Sequence, residues 1–360
     1  MERQEPLYAQ SISQCPKLVS SSRRQQPTNI HDLRPDDIKA VAVIGDSISA
    51  GLAMENTKAE CITNNEFIEY RGLSFDAGGD EGAITVPNFI DYYTLEKLAG
   101  SSIGKRQMPI CPDSFFCTNA SSDPSVDHFN AAIPSGTTRN MNQQIKYLIP
   151  KIGKNSPFAN EWKVLTIELG MNDLAVSCMN GYTVFDFSER MKAGIQLIQE
   201  SIDYVFINLI GLSHSEQEVK ITDKHPGYQK KFCDDPSFDI QDKECYCCHI
   251  SNGVGEAVVS SNVRLFNNAL REIAAMYQPH SSNATFGVVY QPFFLKMDTL
   301  TYTAISNLDG FHPNIHLHQF FAKKLWNQMF LAKDDKDQEF NYDPNIPIRC
   351  PGKNDRFATR

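Results

Sequence analysis

Val41-Ala42-Val43-Ile44-Gly45-Asp46-Ser47 is a short apolar run that ends in Gly-Asp-Ser. A run of that length closing on a tight turn reads as a buried strand with Ser47 at its C-terminal edge, where open α/β sheets present their chemistry. Residues Ile48 to Met54, with Gly51 among them, are expected to turn into a helix, setting the Ser47 hydroxyl near a positive helix N-terminus. The triplet alone fits an ordinary turn or helix cap as well as a nucleophile.

A distant segment changes that balance. Asp309-Gly310-Phe311-His312 precedes Pro313 and a helical pattern from Ile315 to Phe330. A carboxylate three residues before a histidine can hold one imidazole nitrogen and leave the other free to face Ser47. A third segment, Val164-Leu165-Thr166-Ile167-Glu168-Leu169-Gly170-Met171-Asn172-Asp173, is another apolar run, ending in a Gly-x-Asn-Asp turn. Asn172 can offer its side-chain amide to a developing oxyanion, a donor worth about 3 kcal/mol in hydrolases where it has been removed. As a turn residue it needs no such role.

Two glycine-bearing segments compete to supply a backbone N–H for the same oxyanion: Asn130-Ala131-Ala132-Ile133-Pro134-Ser135-Gly136 and Gly78-Gly79-Asp80. The first is favoured because it reads as a strand exit followed by a helical run over Met141 to Ile152, and that run leads into the Asn172 strand.

Together these blocks resemble the SGNH or GDSL hydrolases, and within them the phospholipase B-like lipases. The likeness extends to Leu33-Arg34-Pro35-Asp36-Asp37-Ile38-Lys39, Tyr70-Arg71-Gly72-Leu73-Ser74-Phe75, Trp162-Lys163, Gln291-Pro292-Phe293-Phe294 and Leu325-Trp326-Asn327. It implies a three-layer, flavodoxin-like α/β fold. It also implies Ser47 as nucleophile, His312 as general base and then acid, and Asp309 as the residue orienting His312. The oxyanion hole would comprise the Ser47 N–H, Asn172 and the Asn130 block. This chain departs from the family there: where such lipases have glycine directly after the proline, it has Ser135, with Gly136 one place later. The donor is therefore open between Ser135 and Gly136, with Gly79 as a fallback. Asp173 is a rival acid that is better placed to brace the Asn172 loop, and Asp46 is expected to support the site.

The apolar runs near 40–45, 164–169, 204–210 and 286–291 alternate with helical patterns such as Phe185–Ile202 and Val263–Met276. That alternation predicts one parallel sheet with helices on both faces. The expected organisation is a polar lead over 1–32, a hydrolase domain over 33–333 and a polar tail over 334–360. The chain has 360 residues, 41% of them hydrophobic, and a net charge of −9. Nucleic-acid binding lacks its electrostatic footprint at that charge.

Ten cysteines raise the question of compartment. Cys233, Cys245-Tyr246-Cys247-Cys248 and His249 offer ligand types for a metal, but their spacing completes no tetrahedral site. Disulfides are the better reading, with Cys111 and Cys117 able to close a small loop. Sequons at Asn119-Ala120-Ser121 and Asn283-Ala284-Thr285 agree with a secreted glycoprotein. No stretch of Met1 to Lys39 has the apolar length of a signal peptide, and no run approaches a membrane span. Secretion is favoured over a cytoplasmic location.

The expected activity is two-step acyl transfer on phospholipids or lysophospholipids at a membrane or micelle surface, with no metal or organic cofactor. Another ester, such as an acetylated carbohydrate, and a catalytically silent binding role are the alternatives. Phe115-Phe116 and Phe293-Phe294 are candidates for acyl-chain contact. Oligomeric state is not legible.

Overall fold

Four apolar runs form the centre of the protein. In a computed structural model, described here for residues 5–18, 24–109, 122–228, 230–237, 240, 244–250 and 253–360, the strands in chain order are β1 (Leu7–Ala9), β2 (Ala40–Gly45), β3 (Ile68–Glu69), β4 (Arg106–Gln107), β5 (Lys163–Glu168), β6 (Val205–Ile210), β7 (Phe286–Gln291), β8 (Phe294–Leu295), β9 (Glu339–Phe340) and β10 (Ile348–Cys350). β2, β5, β6 and β7 pair in that order, all parallel. Parallel bridges from Ala40 to Ala99 and from Val43 to Asn130 extend the sheet beyond β2.

The helices are α1 (Val86–Tyr93), α2 (Pro124–Asp127), α3 (Met141–Ile152), α4 (Met171–Ala175), α5 (Val184–Ser201), α6 (Ser215–Thr222), α7 (Val254–Met276) and α8 (Ile315–Gln328). Successive strand residues point to opposite faces, so continuous apolar runs imply burial on both. Val41, Val164, Phe206 and Val289 pack with Phe89 of α1 and with Phe320 and Trp326 of α8. Ala42, Leu165, Ile207 and Val288 pack with Ile145 of α3, Ile195 of α5 and Phe266 of α7. The result is the three-layer α/β arrangement expected, with the four central strands all directed toward one edge, where β2 and β5 deliver Ser47 and Asn172.

The two ends of the chain and the turn after Ser47 depart from the sequence-based expectation. Within the polar lead, β1 pairs antiparallel with β10, and Cys15 is joined to Cys350 across 335 residues of sequence, so these residues are fastened to the body. The 334–360 tail is likewise part of the body, since Phe357 is buried against Phe206 and Phe330. Ile48 to Met54 makes one turn only. Gly51 and Ala53 take left-handed φ values of 70° and 58°, and Leu52 leaves to bridge Glu69.

Every cysteine among the described residues is in a disulfide: Cys15–Cys350, Cys61–Cys233, Cys178–Cys247 and Cys245–Cys248. The Cys111 and Cys117 pair, the Asn119 sequon and Phe115-Phe116 lie outside the described residues. Phe293 is core rather than a substrate contact, because it packs among Phe75, Phe321 and Phe340. Among the described residues no helix is long and apolar enough to cross a membrane.

Candidate active site

Gly45 carries no Cβ because one would stand 2.5 Å from the Ser49 hydroxyl and 3.0 Å from the Glu168 carbonyl. Gln144 of α3 holds the Gly45 peptide from both sides, accepting its N–H at 2.8 Å and donating to its carbonyl at 2.9 Å. The chain then turns at Asp46, whose Oδ1 accepts the Ile48 N–H at 2.9 Å. This turn presents Ser47 with 7% of its surface exposed.

His312 Nε2 lies 2.7 Å from Ser47 Oγ, and its Nδ1 lies 2.6 Å from Asp309 Oδ2. The other oxygen of Asp309 accepts the backbone N–H groups of Phe311 and His312, at 2.9 and 3.0 Å. Those bonds fix the carboxylate and the ring together before any substrate arrives. Burial would pull the His312 pKa down, but the carboxylates of Asp309, Glu244 and Asp46 lift it to about 9. Burial opposes ionisation of Asp309, yet His312 and the two backbone donors hold it below the usual carboxylate range. Asp173 faces elsewhere. It accepts from the Thr138 N–H at 2.8 Å and the Thr138 hydroxyl at 2.6 Å, so it ties α4 to the turn between the Asn130 block and α3.

The Asn130 block is now specific about its free donor. Ile133-Pro134-Ser135-Gly136 is a tight turn closed by the Gly136 N–H on the Ile133 carbonyl at 2.8 Å. Gly136 is therefore unavailable as a donor, contrary to one of the two expectations. Its carbonyl instead accepts from Asn172 Nδ2 at 3.0 Å. The N–H groups of Ser135 and Ser47 have no acceptor among the described residues. Gly79 is also excluded, since its N–H donates to the Ser102 carbonyl at 2.8 Å.

Ser135 sits at φ 60°, in the left-handed region where a Cβ costs about 1–2 kcal/mol. A proline followed by a residue of positive φ is the pattern that normally calls for glycine. Ser135→Gly is accordingly expected to stabilise the fold by up to about 1 kcal/mol, the relief being partly offset by the greater freedom of glycine in the unfolded chain. Urea unfolding checks this, and a stability loss would show that the Ser135 side chain contributes more than it strains.

The model of the GDSL-like Lipase/Acylhydrolase family matches residues 41–325, a span that runs from β2 into α8 and holds Ser47, Asn172, Asp309 and His312. The chain belongs to this family. Its similarity to human "Phospholipase B1, membrane-associated" is 26% identity over 92% of this chain and 22% of that protein. The rat protein of the same name is 25% identical over 92% of this chain and 22% of its own length. The chain thus spans 22% of the length of these curated relatives. Among solved structures, a GDSL-like lipase from Parabacteroides merdae is 14% identical, covering 87% of this chain and 98% of that one with a TM-score of 0.38. An extracellular lipase from Streptomyces rimosus is 10% identical, covering 80% and 98% with a TM-score of 0.36.

This GDSL-type ester hydrolase carries acidic groups around the site that sequence reasoning missed. Glu168, at the end of β5, and Asp76 are buried beside Ser49, whose hydroxyl lies 2.7 Å from Asp76 and 3.3 Å from Glu168. Burial, together with Asp46 and Asp76, pushes the Glu168 pKa well above the usual carboxyl range. Burial raises Asp46 and Asp76 to about 6. A neutral Glu168 can donate to the Asp46 carboxylate, which is the group that also accepts from Asn172 at 3.3 Å. The available signal was a lone glutamate inside the apolar run from Val164 to Leu169. Glu218 and Glu244, which also face the His312 loop, gave no such signal because nothing periodic surrounds them.

Proposed function

We propose that the protein hydrolyses acyl esters of phospholipids and lysophospholipids through an acyl-enzyme on Ser47. The observation that carries the reading is the hydrogen-bonded series Ser47, His312 and Asp309, at 2.7 and 2.6 Å, standing at the sheet edge beside two free N–H groups. His312 Nε2 takes the Ser47 proton as Oγ attacks the ester carbonyl, and Asp309 holds the imidazolium that forms. The oxyanion is received by the N–H groups of Ser47 and Ser135. The Asn172 amide keeps its bond to Gly136 and turns its second hydrogen from Asp46 to the oxyanion. His312 then protonates the leaving alcohol and activates water for deacylation.

Likeness to the membrane-associated phospholipases supports a lipid ester over an acetylated sugar. Four disulfides among the described residues support an oxidising, extracellular setting, in which the exposed Asn283 is available as a glycan acceptor. Incubation with a diacyl phospholipid, a lysophospholipid and an acetylated sugar separates the substrate classes. Fatty-acid release from the two lipids is the expected result, and activity on the sugar alone would reject the lipid reading. Asn172→Ala should lower kcat by about 10²–10³-fold with little change in KM, because an oxyanion donor acts in the transition state. Steady-state kinetics on a soluble ester measure the split; a rise in KM alone would assign Asn172 to substrate binding instead.

A further inference from the structure

We propose that Glu244 is a positioning residue of this site, a second carboxylate that faces the His312 and Asp309 pair and holds the imidazolium formed during acyl transfer. The proposal rests on the serine-hydrolase reading above. One ligand-type atom from each of Glu244, Asp309 and His312 lies within 4.8 Å of the others. Two carboxylates brought so close repel each other unless a positive charge forms beside them. His312 is the group that acquires one in each half of the reaction.

A metal ion is the other cation such a trio suggests, but both ring nitrogens of His312 are engaged. Nδ1 meets Asp309 at 2.6 Å and Nε2 meets Ser47 at 2.7 Å. A proton on the ring satisfies the cluster without breaking either contact.

The fold places Glu244 from both sides. On one side the Glu244 N–H donates to Ile240, which is buried with Leu52, Ile62 and Leu308, the last of these adjoining Asp309. On the other side stands Cys245, bonded to Cys248, while Cys247 is bonded to Cys178 just beyond α4. One pair of disulfides thus ties the carrier of Glu244 to the helix that carries Asn172. Nearby, Cys61–Cys233 and the Thr222 hydroxyl on the Gly310 carbonyl at 2.8 Å fasten flanking residues to the body.

The charges facing His312 come from each surrounding element: Asp309 on its own loop, Asp46 after β2, Glu244 just before Cys245, Glu218 on α6 and His318 on α8. Burial keeps His318 neutral, with a pKa lowered to about 3, so no cation in this group competes for Glu244. Burial raises Glu244 to about 7, and the His312 charge acts in the opposite direction, favouring its ionised form. An ionised Glu244 favours protonated His312. Removing that charge must therefore lower the His312 pKa and extend the active, neutral base to lower pH.

The test is kcat/KM against pH on a soluble p-nitrophenyl ester, for the unaltered protein, Glu244→Gln, Glu244→Asp, Ser47→Ala and the remote surface control Glu189→Gln. Glu244→Gln should move the acid limb down by roughly 0.5–2 pH units and lower the plateau kcat several-fold. Glu244→Asp should restore most of the original limb, and Glu189→Gln should leave it in place. Proton NMR of the His312 Nδ1–H follows the same titration without substrate, and a parallel shift there is the expected result. A folded Glu244→Gln with an unmoved limb and an unmoved ring titration would overturn the proposal while an inactive Ser47→Ala upheld the triad. Activity in Ser47→Ala would overturn the function proposed above, and the Glu244 assignment with it.

Discussion

Ser47→Ala is expected to lower kcat for ester hydrolysis by about 10⁵–10⁶-fold, to the level that the remaining oxyanion donors and substrate binding sustain. Ser47 Oγ makes its hydrogen bond to His312 Nε2, and no other partner of that oxygen stands among the described residues. The change removes one atom from a site with 7% exposure and leaves the Asp309 contact with His312 untouched, so stability should stay within about 1 kcal/mol of the parent. Rapid-mixing kinetics with an activated ester provide a second reading, because the burst of released alcohol that marks acyl-enzyme formation should vanish. A variant that keeps its burst would place the acyl group on another residue.

Arg71→Met should cost about 3–5 kcal/mol of folding stability, the largest structural effect expected from a single substitution here. Arg71 is fully buried. Its Nε lies 2.6 Å from Glu69 Oε2 and 3.1 Å from Asp127 Oδ1, and both acids are also buried. Its remaining nitrogens donate to the Asn130 carbonyl at 3.3 Å and the Ala132 carbonyl at 2.8 Å. Methionine fills most of the volume but leaves Glu69 and Asp127 with only Arg106 among the described cations, which reaches them at 2.7 and 3.0 Å. It also strands two carbonyls of the segment that runs into Ser135. Arg71→Lys should rescue little, because an ammonium cannot reproduce the planar fork that spans both acids and both carbonyls. Denaturant unfolding measures the loss. Below the melting range kcat should also fall, because Ala132 lies three residues before Ser135. Stability within 1 kcal/mol of the parent would mean that water replaces the guanidinium without penalty.

The residues of the proposed reactive set could be picked out in the sequence because each stands on a locally coded feature. Ser47 and Asn172 each follow a largely apolar run, and such runs become β2 and β5 because both faces of the sheet are covered. Asp309 and His312 are three residues apart, so their hydrogen bond is made within one loop. The helix expected after Ser47 was misread for a local reason that the spacing of apolar residues does not encode. Gly51 and Ala53 adopt left-handed φ, and Leu52 is captured by Glu69 from a distant segment.

By itself the sequence determined that four apolar runs form one parallel sheet with helices on both faces, and which residue types stand at its edge. Both follow from short-range patterns of burial and turn formation. Tertiary structure alone decided that Ser135 rather than Gly136 keeps a free N–H, because that depends on a turn closing onto Ile133. It alone joined β1 to β10 and Cys15 to Cys350, and gathered Glu168 and Asp76 around Ser49 and Glu244 beside His312. Those groups are brought together across dozens to hundreds of residues by sheet pairing and disulfides, and the interactions between buried charges exist only once water has been excluded from between them.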